Sequence, residues 1–410
     1  MSSTTLLSEP MELSNKVKIK NRIFKSAMSE GLSTKNHLPN DQLLRLYKAW
    51  AEGGAGLVVT GNVMVDRRAL GEPRNVVLED DNNLSLFKKW ANAGTKNNTQ
   101  LWMQINHPGK QVFKGVVKEA VAPSAVPFES KLQRFFPLCR ALTVLEIREI
   151  INRFAQTALL AKRAGFTGVQ IHAAHGYLIS QFLSPIHNKR MDEWGGPIEN
   201  RFRFLSEIYL TMREKVGDDF PIGVKINSSD FSKAGFSEEE SQFVIEKLDN
   251  LGVNLIEISG GTYEKPEMTG KNVKASTMKR EAYFMDYAEK LKKKSNVPLV
   301  LTGGFRTLEG MEHALHENAT DMIGLARPMA IYPNFPNLLM ENDVPTLGIS
   351  PVKTGLSFID DRAMLELTWY SQQLERIAKG KATKPSFSPL LSLFLTLAKN
   401  GKEVFQQRRA

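Results

Sequence analysis

The sequence predicts an α/β protein with a (β/α)8 barrel, the TIM barrel fold. Eight short runs rich in Val, Ile, Leu or Phe recur through the first 330 residues, and segments with helical periodicity separate them. Most of the runs are continuously apolar, as expected for parallel strands that are buried on both faces. Eight strands alternating with helices over about 320 residues suit this barrel, which needs roughly 250 residues plus insertions. A doubly wound parallel sheet is the alternative fold.

Each predicted strand is too short for a helix and is followed by a helical segment. The strands are Ile23–Met28, Leu57–Gly61, Gln100–Ile105, Gly168–Ala173, Ile222–Asn227, Leu255–Ser259, Pro298–Thr302 and Asp321–Ala326. The helices predicted between them are Asp41–Glu52, Leu84–Ala93, Thr143–Ala164, Ile198–Val216, Ser237–Asn250, Ala282–Lys294 and Leu308–His316. Local signals support the helix ends: Thr143 precedes Glu146 by three residues, the spacing of a capping box, and glycine ends several helices.

Two segments fall outside this repeat. Residues 106–140 are rich in proline and are predicted to form a cap or hairpin over the barrel mouth after the third strand. After about Pro336 the chain continues into a predicted helix, Asp360–Lys379, an apolar patch, Leu390–Leu397, and a basic end. We therefore divide the chain into a barrel domain, residues 1–340, and a C-terminal helical extension, residues 341–410.

Composition excludes several classes of protein. The 410 residues are 42% apolar and 24% charged, which is typical of a globular protein and not of a disordered or fibrous one. The net charge of +10 is spread along the chain, so we do not expect a nucleic acid as partner. The single cysteine, Cys139, excludes an internal disulfide and favours a reducing, cytoplasmic setting. We expect no signal peptide, because the N-terminus has no apolar core of signal-peptide length, and no transmembrane segment, because no apolar stretch approaches roughly 20 residues.

Polar and small residues stand at the ends of most predicted strands. Because a (β/α)8 barrel carries its chemistry at the carboxyl ends of its strands, these residues form the candidate site, and a purely structural barrel does not need them. They are Ser26, Ala27, Met28 and Ser29 at the end of the first strand, Gly61 at the end of the second, Gln104 on the third, His172, His175 and Tyr177 at the fourth, Lys225 on the fifth, Gly303 and Gly304 after the seventh, and Gly324, Ala326 and Arg327 at the eighth.

The last two strands predict a phosphate-binding site. The motifs TGGFRT and GLARP place glycines and backbone N–H groups before two neighbouring helices. Glycine lets the backbone approach an anion closely, helix starts carry partial positive charge, and the Arg327 guanidinium can form two hydrogen bonds with phosphate oxygens. The alternative is that Gly303 and Gly304 only turn the chain and that Arg327 forms a surface ion pair.

The segment His172-Ala-Ala-His175-Gly-Tyr177 predicts a second group of functional residues. Residues three apart on a strand point to opposite faces, so the two imidazoles converge only if the strand ends near His172 and the chain then turns. Two imidazoles can hold a carbonyl or anionic oxygen, and Tyr177 can donate a proton. The alternatives are structural histidines or a metal pair; we predict no metal, because no nearby Asp, Glu or Cys completes a ligand set.

Gln104 and Lys225 are predicted to face the same mouth of the barrel. A Gln side chain can pair with an imide edge, and a Lys stabilises a ring that becomes anionic. Both residues can instead fill a layer of side chains inside the barrel. An unpaired buried Lys is costly, however, so the sequence implies an anion near Lys225.

Together these features resemble the old yellow enzyme family of flavin-dependent oxidoreductases. The resemblance extends from Asn21 to about Pro336 and rests on NRIFKSAMSEG, GGAGLVVTGN, MQINHPGKQ, GFTGVQIHAAHGYLISQFLSPIHNKRMDEWGGPIENR, GVKINSSDF, LTGGFRT and DMIGLARPMAIYP. It implies noncovalently bound FMN at the barrel mouth and NADH or NADPH as donor of hydride to flavin N5. It also implies reduction of the activated C=C bond of an α,β-unsaturated carbonyl or similar electron-poor compound by a stand-alone ene reductase.

The resemblance also implies a role for each site residue. Ala27, Met28 and Ser29 line the N5 and O4 side of the flavin, Gly61 leaves room beside it, Gln104 pairs with its pyrimidine edge, and Lys225 neutralises the N1 and O2 region. Gly304, Ala326 and Arg327 hold the phosphate, and Ser26, Gly303 and Gly324 complete the predicted cofactor-binding residues. His172 and His175 bind the substrate carbonyl oxygen, and Tyr177 protonates the α-carbon.

Four positions depart from the family pattern. The family often has Pro where Ala27 stands and Gly where Ala326 stands; Ala326 keeps its backbone N–H, so only packing changes there. The family often has Cys or Thr where Ser29 stands, so this chain keeps a hydroxyl and lacks a redox-active thiol, which should alter the flavin potential. It often has Arg where Lys225 stands, so the charge is kept and the fork geometry of a guanidinium is lost.

Two other functions are compatible with the residues. One is a barrel lyase or hydrolase that binds a phosphorylated substrate at TGGFRT and GLARP, with His172 as general base. The other is a binding or membrane-associated protein in which Leu390–Leu397 and the basic residues after it lie on an anionic bilayer. We expect this patch instead to pack on the barrel or on a second subunit, which makes a homo-oligomer possible.

Overall fold

The computed structural model describes residues 5–262, 282, 284–341, 352–355 and 365–407. In this part of the chain, eight parallel strands close into a barrel in which each strand pairs with the next and the eighth pairs with the first. The strands are β1 (Ile23–Lys25), β2 (Leu57–Val59), β3 (Gln100–Asn106), β4 (Gly168–Ala173), β5 (Ile222–Asn227), β6 (Leu255–Ser259), β7 (Leu299–Thr302) and β8 (Met322–Leu325). The predicted (β/α)8 barrel is confirmed, and the pairing of β8 with β1 rules out the open doubly wound sheet.

Helices follow the strands and form the outer layer. They are α1 (Asp41–Glu52), α2 (Leu84–Gly94), α3 (Val144–Ala164), α4 (Ile198–Val216), α5 (Glu238–Asn250), α6 (Met285–Lys292) and α7 (Leu308–His316). The local signals act as expected at α3, where Thr143 and Glu146 form a capping box and Gly165 ends the helix with φ +89°. The predicted strand Ile23–Met28 is shorter in the structure, because residues 26–29 leave the sheet at the barrel mouth.

The barrel interior is apolar at the end away from the candidate site. Phe24, Val59, Trp102, Val300 and Met322 belong to one buried cluster inside the strands. A larger cluster fills the space between the strands and the surrounding helices. The apolar floor leaves the opposite, carboxyl end of the barrel to polar side chains.

The excursion after β3 forms a small folded cap. Strands Ala120–Ala122 and Cys139–Ala141 pair in parallel, so the segment is not a β-hairpin, which requires antiparallel strands. The buried Lys110 Nζ holds it together, because this group donates to the Val126 carbonyl at 3.0 Å and lies 4.3 Å from the Phe128 ring centroid. Lys110 Nζ also lies 3.1 Å from His187 Nδ1, which joins the cap to the loop that follows β4.

The C-terminal extension is helical where it is described. Helix α8 (Leu365–Ala378) packs on α1, and Arg45 Nε donates to the Ala378 carbonyl at 2.8 Å. The predicted helix Asp360–Lys379 begins outside the described residues. Helix α9 (Pro389–Gln407) contains the apolar patch and packs on α8. Among the helices of the described segments, none combines the length and the hydropathy that crossing a bilayer requires.

Candidate active site

A buried polar layer lies inside the barrel above its apolar floor. The Gln104 amide donates to Gln170 Oε1 at 2.7 Å, and the Gln170 amide donates to Glu257 Oε2 at 2.8 Å. Lys225 Nζ lies 3.0 Å from Glu257 Oε1, and Thr302 Oγ1 donates to the same oxygen at 2.8 Å. The anion that the sequence implied near Lys225 is therefore Glu257 of the chain itself, so the burial of Lys225 does not by itself require a bound anion.

The three predicted catalytic side chains meet at the end of β4. The His172 ring centroid lies 5.1 Å from that of His175 and 4.9 Å from that of Tyr177. The strand ends at Ala173, and His175 adopts φ +62° while Gly176 adopts φ +79°. This left-handed turn brings together two imidazoles that a continuous strand would place on opposite faces.

The two imidazoles are neutral at physiological pH. Burial lowers the pKa of His172 well below its ordinary value of 6.5, and the nearby His175 and Lys225 lower it further. Burial and the charge of Lys225 also lower the pKa of His175 well below that value. A neutral imidazole has one N–H donor and one acceptor nitrogen, so the partners of each ring decide which nitrogen faces the site.

Backbone and side-chain contacts orient both rings. His172 Nδ1 accepts a hydrogen bond from the Ala174 N–H at 3.3 Å, which assigns the proton to its Nε2. His175 Nε2 lies 2.8 Å from Ser259 Oγ, and the His175 N–H donates to Asn227 Oδ1 at 3.2 Å. If the Ser259 hydroxyl is the donor, the His175 proton resides on Nδ1, which is then available to a substrate.

A cavity of about 320 Å³ gathers most of the predicted cofactor residues. Gly303 and Gly304 have φ +117° and +96°, which only glycine adopts without strain, and a Cβ at Gly324 would lie 1.9 Å from Thr302 Oγ1. At these glycines the backbone therefore borders the cavity directly, with no side chain in between, and a guanidinium group lines it as well. The predicted residues that line it are Ala27, Met28, Ser29, Gly303, Gly304, Gly324, Ala326 and Arg327.

The same cavity contains residues that the sequence analysis did not assign. Arg306, from the motif TGGFRT, lines the cavity together with Arg327. Helix α8 adds Glu366 and Tyr370, and Glu366 Oε2 lies 3.4 Å from Arg327 Nη1. The position of Arg306 in its motif was a signal for it, whereas nothing local in the sequence indicates that α8 covers this cavity.

Residues after β1 and β2 form a hydrogen-bonded edge beside the cavity. Ser29 Oγ donates to the Glu72 carboxylate, and burial together with the charge of Glu30 raises the pKa of Glu72. The Gly61 N–H lies 3.0 Å from Glu30 Oε1, and a Cβ at Gly61 would lie 2.1 Å from Glu30 Oε2. Gly61 therefore makes room for the Glu30 carboxylate.

Two further buried residues escaped the sequence analysis. Lys25 precedes the predicted site residues on β1, and burial lowers its pKa to about 7. Asn106 lies at the end of β3 on the same face as Trp102 and Gln104, and neither atom of its buried amide has a hydrogen-bond partner among the described residues. An unpaired buried amide is costly, which marks Asn106 as a position that a ligand can satisfy.

A second cavity is lined by none of the predicted site residues. It measures about 610 Å³ and is bounded by the cap, by the loop after β2 and by the start of α3. Two of its arginines form ion pairs, Arg68 with Asp66 at 2.7 Å and Arg140 with Glu146 at 2.6 Å, as Arg327 does with Glu366 in the smaller cavity. The smaller cavity is the candidate site, because it contains the glycine turns and the two guanidinium groups at the strand ends.

The fold and the site together define a class of protein, the (β/α)8-barrel oxidoreductases. Its members have a polar cofactor site at the carboxyl end of the barrel, which here lies next to the His/His/Tyr cluster. The chain belongs to the NADH:flavin oxidoreductase / NADH oxidase family, whose model matches residues 6–343. It is 39% identical over 357 residues to the NADH-dependent flavin oxidoreductase iliE of Hypocrea jecorina (strain QM6a), a match that covers 81% of this chain and 88% of that protein. The predicted family is confirmed, and the lyase or hydrolase alternative is wrong.

Solved structures agree with the barrel. A 2-naphthoyl-CoA reductase in complex with 2-naphthoyl-CoA matches with a TM-score of 0.78 and 26% identity, covering 90% of this chain and 58% of that one. An old yellow enzyme homologue from Zymomonas mobilis matches with a TM-score of 0.71 and 24% identity, covering 84% of this chain and 95% of that one. The second likeness shows the fold alone.

FMN is the cofactor of the family, and the residues present fit it. The cavity offers two guanidinium groups and two glycine turns to a phosphate. The polar layer next to it offers the Gln104 amide and the Lys225 ammonium to a polar ring edge. The chain is therefore an FMN-dependent oxidoreductase that uses a nicotinamide nucleotide.

Proposed function

We propose that this enzyme reduces the activated C=C bond of α,β-unsaturated carbonyl compounds or similar electron-poor alkenes. The observation that carries the proposal is the cluster of His172, His175 and Tyr177, with ring centroids 4.9 to 5.1 Å apart at the end of β4. Two neutral imidazole N–H groups can donate hydrogen bonds to the carbonyl oxygen of such a substrate, and a phenol can donate the proton that accompanies hydride addition.

The cofactor site follows from the cavity and the polar layer. Gly303, Gly304, Gly324, Ala326 and Arg327 would hold the phosphate of FMN through backbone N–H groups and a guanidinium. At the ring, Gln104 and Lys225 would bind the pyrimidine edge, and Ser26, Ala27, Met28, Ser29 and Gly61 would line the other side. When bound, FMN would supply hydride transfer from NADH or NADPH to the activated C=C bond of the substrate.

Residues of the chain itself bind the substrate carbonyl and supply the proton. His172 Nε2–H and His175 Nδ1–H donate to the carbonyl oxygen, which draws electron density from the β-carbon. The Tyr177 hydroxyl delivers a proton to the α-carbon; Asn62 Nδ2 lies 3.5 Å from that hydroxyl and helps to fix its position. Because both imidazoles stay neutral, the phenol is the acid of this cluster.

The proposal also covers organisation and setting. Residues 1–340 form the catalytic barrel and residues 341–410 the extension. The physiological substrate is a small molecule of the enone type, the enzyme acts in the cytoplasm, and it has no nucleic-acid partner. Assembly into a homo-oligomer is compatible with this scheme.

Anaerobic stopped-flow measurements test the proposal. FMN-loaded protein is reduced with NADH or NADPH and then mixed with a panel of small enones, so that the two half-reactions are observed separately. His172→Ala combined with His175→Ala should leave the flavin reducible and slow its reoxidation by enone roughly 100-fold or more, the usual effect of losing such donors. Tyr177→Phe should slow enone reduction roughly 100-fold while flavin reduction changes little.

Matched variants separate chemistry from general damage. His313→Ala, on α7, and Tyr209→Phe, whose hydroxyl donates to the Leu251 carbonyl at 3.1 Å, should behave as the unaltered enzyme. Undiminished enone reduction in the double histidine variant would refute the assigned role. Loss of FMN in that variant would instead assign the histidines to cofactor binding.

A further inference from the structure

Helix α9 presents an apolar surface that the rest of the described chain does not cover. Leu391 is 47% exposed, Phe394 67% and Leu397 63%, and they stand three residues apart along the helix. Leu390 and Leu395 are also exposed, at 43% and 39%. The expected packing of this patch on the barrel is therefore wrong for the described side chains, and an exposed apolar patch of this kind marks an interaction surface.

The segment that leads into α9 is hydrogen-bonded to α8 and, through Thr383, to the barrel. Trp369 Nε1 donates to the Phe387 carbonyl at 2.8 Å, and Gln373 exchanges two hydrogen bonds with the backbone of Lys384, at 3.0 and 2.7 Å. Thr383 Oγ1 donates to the Ile331 carbonyl at 2.7 Å. The helix is thus held in a defined position with its apolar face outward.

The charge of this region identifies its partner. Residues 379–410 contain seven basic side chains and one acidic side chain, a net charge of +6 out of the chain's +10. The basic residues are Lys379, Lys381, Lys384, Lys399, Lys402, Arg408 and Arg409. Two copies of such a segment repel each other, whereas the anionic headgroups of a bilayer attract it.

We propose that α9 docks the enzyme on an anionic membrane surface, with Leu390, Leu391, Phe394, Leu395 and Leu397 inserted among the lipids, and that the net positive charge of residues 379–410 attracts the headgroups. Apolar burial combined with electrostatic attraction is how interfacial helices bind. The helix lies on the bilayer and does not cross it, consistent with the absence of a spanning helix among the described residues. The docking is independent of the substrate proposed above.

Vesicle sedimentation with the full-length FMN-loaded enzyme tests the docking. The enzyme should pellet with vesicles of phosphatidylcholine containing about one third phosphatidylserine and should stay in solution with phosphatidylcholine alone. Salt at 0.5 M should weaken the binding at least 10-fold, because the Debye length falls to a few ångströms. Phe394→Ser with Leu397→Ser should abolish pelleting, and Lys399→Gln with Lys402→Gln should weaken it several-fold.

Two controls make the result decisive. Leu145→Ser removes an apolar side chain that is 81% exposed on α3 and should leave pelleting unchanged. All variants should keep the flavin spectrum and the NADH oxidation rate of the unaltered enzyme, because none of these residues lines the cofactor cavity. Three results would each overturn the proposal. The first is equal pelleting with both kinds of vesicle, and the second is pelleting that persists in Phe394→Ser with Leu397→Ser. The third is no pelleting by the unaltered enzyme together with a dimer that this double variant dissociates.

Discussion

Replacing Lys25 with Met should remove a rise in folding stability with pH. Phe24 points into the barrel, so Lys25 points to the helical layer, where its Nζ donates to the Val59 carbonyl at 2.9 Å and lies 4.0 Å from the Trp50 ring centroid. Burial lowers the pKa of Lys25 from 10.5 to about 7, although the charges of Glu30 and Glu257 partly oppose this. The folded protein thus holds an amine that resists protonation.

The direction of the change in folding stability with pH follows from the number of protons that the folded and unfolded chains bind. Between pH 7 and 10.5 the unfolded chain carries a proton on Lys25 that the folded chain has released. The free energy of unfolding therefore rises with pH in that window by up to about 1.4 kcal/mol per pH unit, or about 5 kcal/mol in all. The cost of burying Lys25 is fully present below pH 7 and disappears above 10.5.

Urea unfolding at equilibrium, with excess FMN at pH 7, 8 and 9, measures this contribution. The unaltered enzyme should gain about 2 kcal/mol relative to Lys25→Met between pH 7 and 9, because the variant lacks the buried amine, which is half protonated at pH 7. Lys88→Met, which removes an exposed lysine on α2, should follow the unaltered enzyme. Parallel curves for the unaltered enzyme and Lys25→Met would show that Lys25 is not held neutral by burial.

Three more predictions concern the site. Ser259→Ala should weaken phenol or enone binding roughly 10-fold and leave FMN affinity unchanged in a titration, because His175 loses the partner that fixes its tautomer; unchanged ligand binding would contradict this. Glu366→Gln should tighten FMN binding several-fold in equilibrium dialysis, because Glu366 competes with phosphate for Arg327. Arg327→Ala should weaken FMN binding more than 10-fold in the same assay. Unchanged FMN affinity in both variants would show that Arg327 does not bind the phosphate. Because the folded pKa values of both imidazoles lie well below 6.5, the free energy of unfolding should fall as pH drops from 6.5 towards 5. In urea unfolding curves, His172→Ala with His175→Ala should reduce that fall. An equal fall in this variant would show that other groups take up the protons on unfolding.

The predicted strands and helices agree with the structure because their signals are local. The bounds of Asp41–Glu52, Ile198–Val216 and Leu308–His316 are those that apolar periodicity predicted. The turn after His172 that the two imidazoles need in order to converge is present in the structure, at His175 and Gly176. The apolar patch after Pro389 was recognised, but its exposure was not, because exposure depends on how α8 and α9 pack.

The sequence by itself determined the barrel, the glycine turns at the last two strands and the order of His172, His175 and Tyr177 along the chain. Only the tertiary structure decided the ionic partners, namely Glu257 for Lys225 and Glu366 for Arg327. It also decided that Ser259 holds the ring of His175 and that Lys25 is buried beside Trp50. The physical reason is distance along the chain: repeating patterns and turns are encoded by neighbouring residues, whereas the charge state and orientation of a side chain depend on groups that only closure of the barrel brings within a few ångströms.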